Sequence, residues 1–184
     1  MADVEEWVED EFMERCSHAL VDDGRTWLVD PVDNPRVQEL DNLAGVIQLL
    51  DRHNRDCAHL AQHYGVPHHV VPKERIGPFE FLPVRQSRRW REVALWWPER
   101  GTLLCADALG SAEYYRAGDE RLAVHPLLRF RPPQFDVRPR TILCGHGAGI
   151  YDDAEEALRE ALTTSRRRAP RQLVSAVRAW RRRR

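Results

Sequence analysis

The spacing of apolar residues changes several times along the chain, and each change predicts an element. Val4, Trp7, Val8 and Phe12 recur at helical spacing within fifteen residues that hold seven acids, which predicts a short exposed helix or a loosely held arm. In "HALVDDGRTWLVDPVD", the strand formers Leu20, Val21, Trp27 and Val29 flank Asp23-Gly24, a pair that tolerates the positive φ of a tight turn. A β-hairpin over residues 18–30 follows. "AGVIQLL" is a nearly continuous apolar run, the pattern of a strand buried on both faces. "DCAHLAQHYGVP" then puts Cys57, Leu60, Ala61 and Tyr64 at helical spacing, with Gly65 placed to stop the helix and Pro67 to prevent its resumption.

"HHVVP" reads as the next strand, so residues 44–71 form a βαβ unit, whose crossover favours a parallel, helix-covered sheet. The charged break "DRHNRDCA" therefore sits at a strand's carboxyl end, where ligands of open α/β sheets gather. "EFLPV", "EVALWWPERGTLLCADAL" and "RTILCGHG" supply further strands, the middle one a hairpin turned at Pro98 to Gly101. "YDDAEEALREALTT" is an amphipathic helix with Ala154, Leu158 and Leu162 four apart and a cap at Asp152 or Asp153.

Composition narrows the class. A chain of 184 residues, 42% hydrophobic, buries one substantial core. No run approaches the roughly 20 apolar residues that cross a bilayer, and the acidic N-terminus is unlike a secretory signal. Four scattered cysteines without a CxxC pair read as reduced thiols, so the expectation is a soluble cytoplasmic protein. The net charge of -1 conceals an asymmetry: residues 166–184 hold nine of the 28 basic residues and no acid, leaving 19 basic against 29 acidic residues elsewhere.

The order of these pieces resembles the metallo-β-lactamase fold. The matching segments are "HALVDDGRTWLVDPVD" for an opening hairpin that ends in an aspartate and "LLDRHNRDCAHLAQHYGVPHHV" for the metal loop and its helix. "EVALWWPERGTLLCADAL" matches a later hairpin with its aspartate, and "TILCGHG" a closing histidine strand. The resemblance implies an αββα sandwich of two mixed β-sheets flanked by helices. It divides the chain into an acidic arm at 1–16, the sandwich at 17–164 and an Arg-rich tail at 165–184.

It also implies a site. The family's first metal motif is HxHxDH, and matching its aspartate to Asp56 puts Arg52, Asn54 and Cys57 where the three histidines belong. The next ligand falls at Arg88, whereas Asp107 and His146 resemble the bridging aspartate and the final histidine. Arginine is a permanent cation with no lone pair to give, so Arg52, Asn54 and Arg88 cannot hold the first of two metals. Asp56, Cys57, Asp107 and His146 remain for the second, a donor set suited to zinc or iron(II).

Two readings follow from the resemblance. In one, the cofactor is a single zinc or iron ion and the chain is a metal-dependent hydrolase, with Asp56 or Asp107 positioning the water. In the other, no metal is held: Arg52 and Arg88 pair with the carboxylates, and the chain binds a small-molecule ligand or partner. In a variant of the second, Arg52, Arg55, Arg88, Arg89 and Arg91 gather phosphate or carboxylate groups.

The remaining histidines weigh less. His53 and Arg55 alternate with the proposed ligands and are expected to point away from them. His59 and His63 mark one helix face, and His68 and His69 face opposite ways on a strand. In the tail, Leu173, Val174, Val177 and Trp180 share one side of a helix among arginines, a pattern for nucleic acid or an anionic surface and, more simply, for a solvated helix.

Overall fold

The Asp23-Gly24 turn forms with both residues at positive φ, 46° and 70°. It joins β2 (Cys16–Asp22) to β3 (Arg25–Val29) in an antiparallel ladder that ends on Asp22 opposite Arg25. The computed structural model describes residues 3–182, with side chains to residue 177.

The N-terminal segment departs from its helical spacing. Residues Val4–Val8 form β1, an edge strand antiparallel to β2 with Trp7 buried beneath it. The reason is tertiary: β2 has an open edge whose backbone groups need partners, and ladder formation outweighs a weak local preference.

The βαβ unit is present. β4 (Leu43–Gln48) lies parallel to β3 and to β5 (His68–Val70). Between them run a short α1 (Pro35–Gln38), ahead of β4, and α2 (Cys57–Tyr64), which ends on Gly65 at φ 65°. The first sheet is therefore ordered β1-β2-β3-β4-β5.

The second sheet contains β6 (Glu80–Ser87), β7 (Trp90–Trp97) and β8 (Thr102–Cys105), the last two joined at Pro98 to Gly101. A two-stranded ribbon of β9 (Leu109–Gly110) and β10 (Ala123–Val124) follows. Then β11 (Thr141–Cys144) adds to the second sheet parallel to β8, giving the order β11-β8-β7-β6.

Alternation along the strands builds the layers. Leu20, Val29 and Ile47 of the first sheet share the main core with Leu95, Leu103 and Ile142 of the second. Ala19, Leu28 and Val46, on the opposite face of the first sheet, pack against Val37 of α1 and Leu60 and Ala61 of α2. α3 (Ala154–Arg182) contributes Ala154, Ala157, Leu158 and Ala161 to the main core from the far side. Helix, sheet, sheet and helix stack as an αββα sandwich, and both sheets are mixed.

α3 continues past residue 164, through Pro170, so the basic segment belongs to one long helix. Its middle is tied to the body: Ser165 Oγ donates to the Arg129 carbonyl and Gln172 Nε2 to the Tyr114 carbonyl. Further on, Leu173, Val174 and Val177 are exposed, and the side chain of Trp180 lies outside the described residues. Among the described residues no helix is long and apolar enough to cross a membrane.

Candidate metal centre

Parallel pairing is what assembles the site. Cys105 of β8 and Cys144 of β11 are partners in register, and Asp107 and His146 each lie two residues beyond them. Equal offsets from a parallel pair bring the two side chains to one edge of the sandwich. Gly145 allows the approach, because a Cβ there would stand 2.3 Å from the Ala106 carbonyl oxygen. His146 Nε2 and Asp107 Oδ1 are 3.1 Å apart.

The first sheet supplies the facing group. β4 ends in a turn in which Arg55 takes φ 37°, so strand alternation no longer governs where residues 51–56 point. His53 swings inward, and its Nε2 lies 2.8 Å from Asp107 Oδ1. Its Nδ1 faces Asp30 Oδ2 at 3.4 Å, while Asp30 Oδ1 accepts from the Leu49 N–H. Arg55 also turns inward, donating to the carbonyls of Cys16, Asp30 and Gly145, and so clasps both sheets together. The expectation that His53 and Arg55 point away fails here because the chain is turning, not extended.

The other expected residues divide. Asp107 and His146 come together, and Arg52 reaches them: its Nη2 is 3.4 Å from Asp107 Oδ2, and its guanidinium lies 4.1 Å over the Trp90 ring. Asp56 and Cys57 do not join the group. The Asp56 carboxylate accepts from the Asp33 N–H, and the Cys57 thiol faces the His53 carbonyl from the buried side of α2. Both belong to the start of α2, whose first turn carries them away from the cluster. Asn54 and Arg88 are exposed, Arg88 at the β6–β7 turn.

Glu92, which the sequence reading passed over, supports the site from behind. Its Oε1 accepts from the Asp107 and Ala108 N–H groups and its Oε2 from Trp90 Nε1. Burial pushes its carboxyl up to about 7. For Asp107 burial acts in the same direction, but the hydrogen bonds to His146 and His53 outweigh it and hold the group ionised far below the usual carboxylate range. For His53 burial is the largest single influence and opposes charge, yet Asp107 and Asp30 together raise the ring to about 9.

His53, Asp107 and His146 thus offer two imidazoles and one carboxylate oxygen, all within 4.8 Å of one another. This donor set matches the two-histidine, one-carboxylate sites that hold iron(II), and zinc accepts the same atoms. The cleft over them, about 380 Å³, is also lined by Arg15, Arg52 and His125. Its signal in the sequence was the charged break after an apolar run; the choice among its residues was not encoded in spacing.

No protein-family model matches the chain, and no curated protein does. Solved structures do. The DIM-1 metallo-β-lactamase is 12% identical with a TM-score of 0.51, over 92% of this chain and 94% of that one. A putative diflavin flavoprotein from Nostoc is 14% identical at 0.53, over 96% and 94%. A structure described as a peroxy diiron species of the chemotaxis sensor ODP is 13% identical at 0.51, over 90% and 92%. At such identities the likeness is one of architecture, and by that architecture this chain has the metallo-β-lactamase fold.

Proposed function

We propose that the cleft holds one divalent metal ion on His53, Asp107 and His146 and serves the hydrolysis of an anionic substrate. One observation carries this reading: every partner of the two imidazoles is an acceptor. His146 Nδ1 faces the Met13 carbonyl at 2.8 Å, and a carbonyl accepts only. His53 Nδ1 faces the Asp30 carboxylate, and both Nε2 atoms face Asp107 Oδ1. Without a metal, each ring needs two protons to satisfy its partners, which sets two imidazolium rings 5.5 Å apart. With a cation beside Asp107, both rings are neutral, donate from Nδ1 and present Nε2 lone pairs. Histidine ligands are commonly oriented through the other ring nitrogen in this way.

A metal bound there supplies Lewis-acid activation of water near neutral pH. The chain's own residues do the rest. Asp30 and the Met13 carbonyl fix the two rings, Glu92 fixes the backbone of Asp107, and Tyr115 donates to the Asp107 carbonyl while stacking on His146. Arg52, held on Trp90 and by the Arg89 carbonyl and 44% exposed, presents its remaining donors to the cleft, beside an Arg15 whose Nε and Nη2 are held by Glu11. Paired guanidinium donors suit phosphate or carboxylate groups.

A second reading is favoured by the Arg52–Asp107 contact itself. Arginine and protonated His53 can offset the carboxylate without any metal, leaving an anion-binding module. Metal analysis of protein purified without chelator separates the two. The hydrolase reading expects about one zinc or iron per chain, lost in a His53→Ala, His146→Ala double variant. A wild-type protein that takes up neither metal yet binds inorganic phosphate or a dicarboxylate would establish the metal-free module.

A further inference from the structure

A second cluster of metal-ligating atoms lies at the β1–β2 ladder, on the face of β2 that also carries Leu20. The β1–β2 register pairs Glu6 with His18, so both side chains emerge on one face, and Cys16, two residues before His18, shares it. We propose that Glu6, Cys16 and His18 form a further metal site for zinc or a similar borderline divalent ion, separate from the cleft and serving to pin the edge strand.

The Cys16 thiol reaches both neighbours through long hydrogen bonds, and the spacing of all three groups leaves room for an ion. Cys16 Sγ is 3.5 Å from His18 Nε2 and 3.9 Å from Glu6 Oε2, and His18 Nε2 is 3.8 Å from Glu6 Oε2. Tetrahedral zinc with bonds of about 2.3 Å to sulfur and about 2.0–2.1 Å to nitrogen and oxygen has ligand-to-ligand edges of roughly 3.3–3.6 Å. The three separations lie within a few tenths of an ångström of those edges. At 3.8 Å the imidazole and carboxylate are too far apart for a hydrogen bond.

His18 aims one nitrogen into the cluster. The ring is fully buried, and its Nδ1 has no hydrogen-bond partner. Nε2, by contrast, is turned to Cys16 and Glu6, so the cluster is where this ring can use a lone pair.

Glu6 is already positioned. Both its oxygens accept from the Gly149 N–H, at 3.2 and 3.1 Å, and Gly149 fits because a Cβ there would stand 3.1 Å from Glu6 Oε2. With 18% of its side chain exposed, Glu6 is the side from which an ion arrives; Cys16 and His18 close the inner side. Thiolate, imidazole and carboxylate make three ligands, and water completes four. On binding, the Cys16 thiol gives up its proton to solvent as the sulfur–metal bond forms.

The donor sets of the two sites differ, and that makes the test selective. The cleft has no sulfur ligand, so a sulfur-to-cobalt charge-transfer absorption in cobalt(II)-loaded, full-length protein reports only on a cysteine site. The expected result is such a band in the wild type, kept in Asp107→Asn and in Cys57→Ser, and abolished in Cys16→Ser. Glu6→Gln, a milder change on the edge strand, should weaken cobalt affinity at least tenfold with the far-ultraviolet circular dichroism unchanged. The absence of the band at saturating cobalt, its survival in Cys16→Ser, or an unaltered affinity in Glu6→Gln would each overturn the proposal.

Discussion

Two carboxylates in this molecule are buried against arginine, and they are built differently. Glu120 and Arg129 are closed: both side chains are essentially inaccessible, Arg129 donates to both Glu120 oxygens, and its second Nη also reaches the Tyr115 carbonyl. Asp107 and Arg52 are open: a single 3.4 Å contact joins a buried carboxylate to an arginine 44% exposed. The closed pair ties the loop before β10 to the segment under α3, where Arg168 also approaches Glu120. In the open pair, Asp107 Oδ1 is left to two imidazoles and Arg52 keeps donors for the cleft. Both Glu120 oxygens are met inside the closed pair, whereas the open pair leaves Arg52 donors facing the cleft.

Breaking the closed pair should have the largest effect. Arg129→Met leaves Glu120 buried without its charge partner and should cost about 3–5 kcal/mol in denaturant unfolding, with much of the loss recovered in a Glu120→Leu, Arg129→Met double variant. A single-variant cost under about 1 kcal/mol would remove the distinction between the two pairs.

Asp107→Asn tests the open pair at its centre. It should lower zinc or iron affinity at least 100-fold, about 3 kcal/mol, by calorimetric titration, while destabilising the metal-free fold less than Arg129→Met does. Unchanged metal affinity would place any ion elsewhere.

His125 borders the same cleft, and its response to pH is a third test. Burial holds its folded pKa down at about 4, and its Nδ1 accepts from the Leu127 N–H, which requires a lone pair there. The unfolded ring titrates near 6.5, so between those values the unfolded state binds more protons. Stability contributed by neutral His125 is therefore present above about pH 6.5 and lost as pH falls through about 4, on the order of 2–3 kcal/mol. His125→Ala should flatten that acid limb in unfolding measured across pH; an identical limb would assign it to other groups.

The smallest effect belongs to Arg52. Its exposed pair should contribute no more than about 1 kcal/mol to stability, yet Arg52→Ala should weaken phosphate binding to the cleft about tenfold. A stability loss as large as that of Arg129→Met would show that the open pair is structural after all.

Legibility in the sequence followed the range of the interaction. The Asp23-Gly24 hairpin, the Gly65 stop of α2 and the βαβ unit rest on contacts between near neighbours, and each is found where the residues place it. β1 was misread because helical spacing is a local signal, whereas the open edge of β2 is not. Asp107 and His146 were singled out by polar positions at strand ends and by the family resemblance, and the parallel register of β8 and β11 is what brings them together. His53 was not, since its direction depends on one positive φ at Arg55 and on three carbonyls from distant segments that hold that arginine.

By itself, then, the sequence determined the first hairpin, the βαβ unit and the last amphipathic helix through apolar period and turn chemistry, implied the two-sheet architecture through its resemblance to the metallo-β-lactamase fold, and placed charged residues at the carboxyl ends of strands. Only the tertiary structure decided which of those residues meet. His53 replaces Asp56 and Cys57 beside Asp107 and His146, and Glu6 meets Cys16 and His18 across an edge ladder. The physical reason is that a ligand set is fixed by directions and distances of a few ångströms among side chains far apart in the chain. Those are set by register, by glycines that permit close approach and by buried hydrogen bonds, none of which periodicity records.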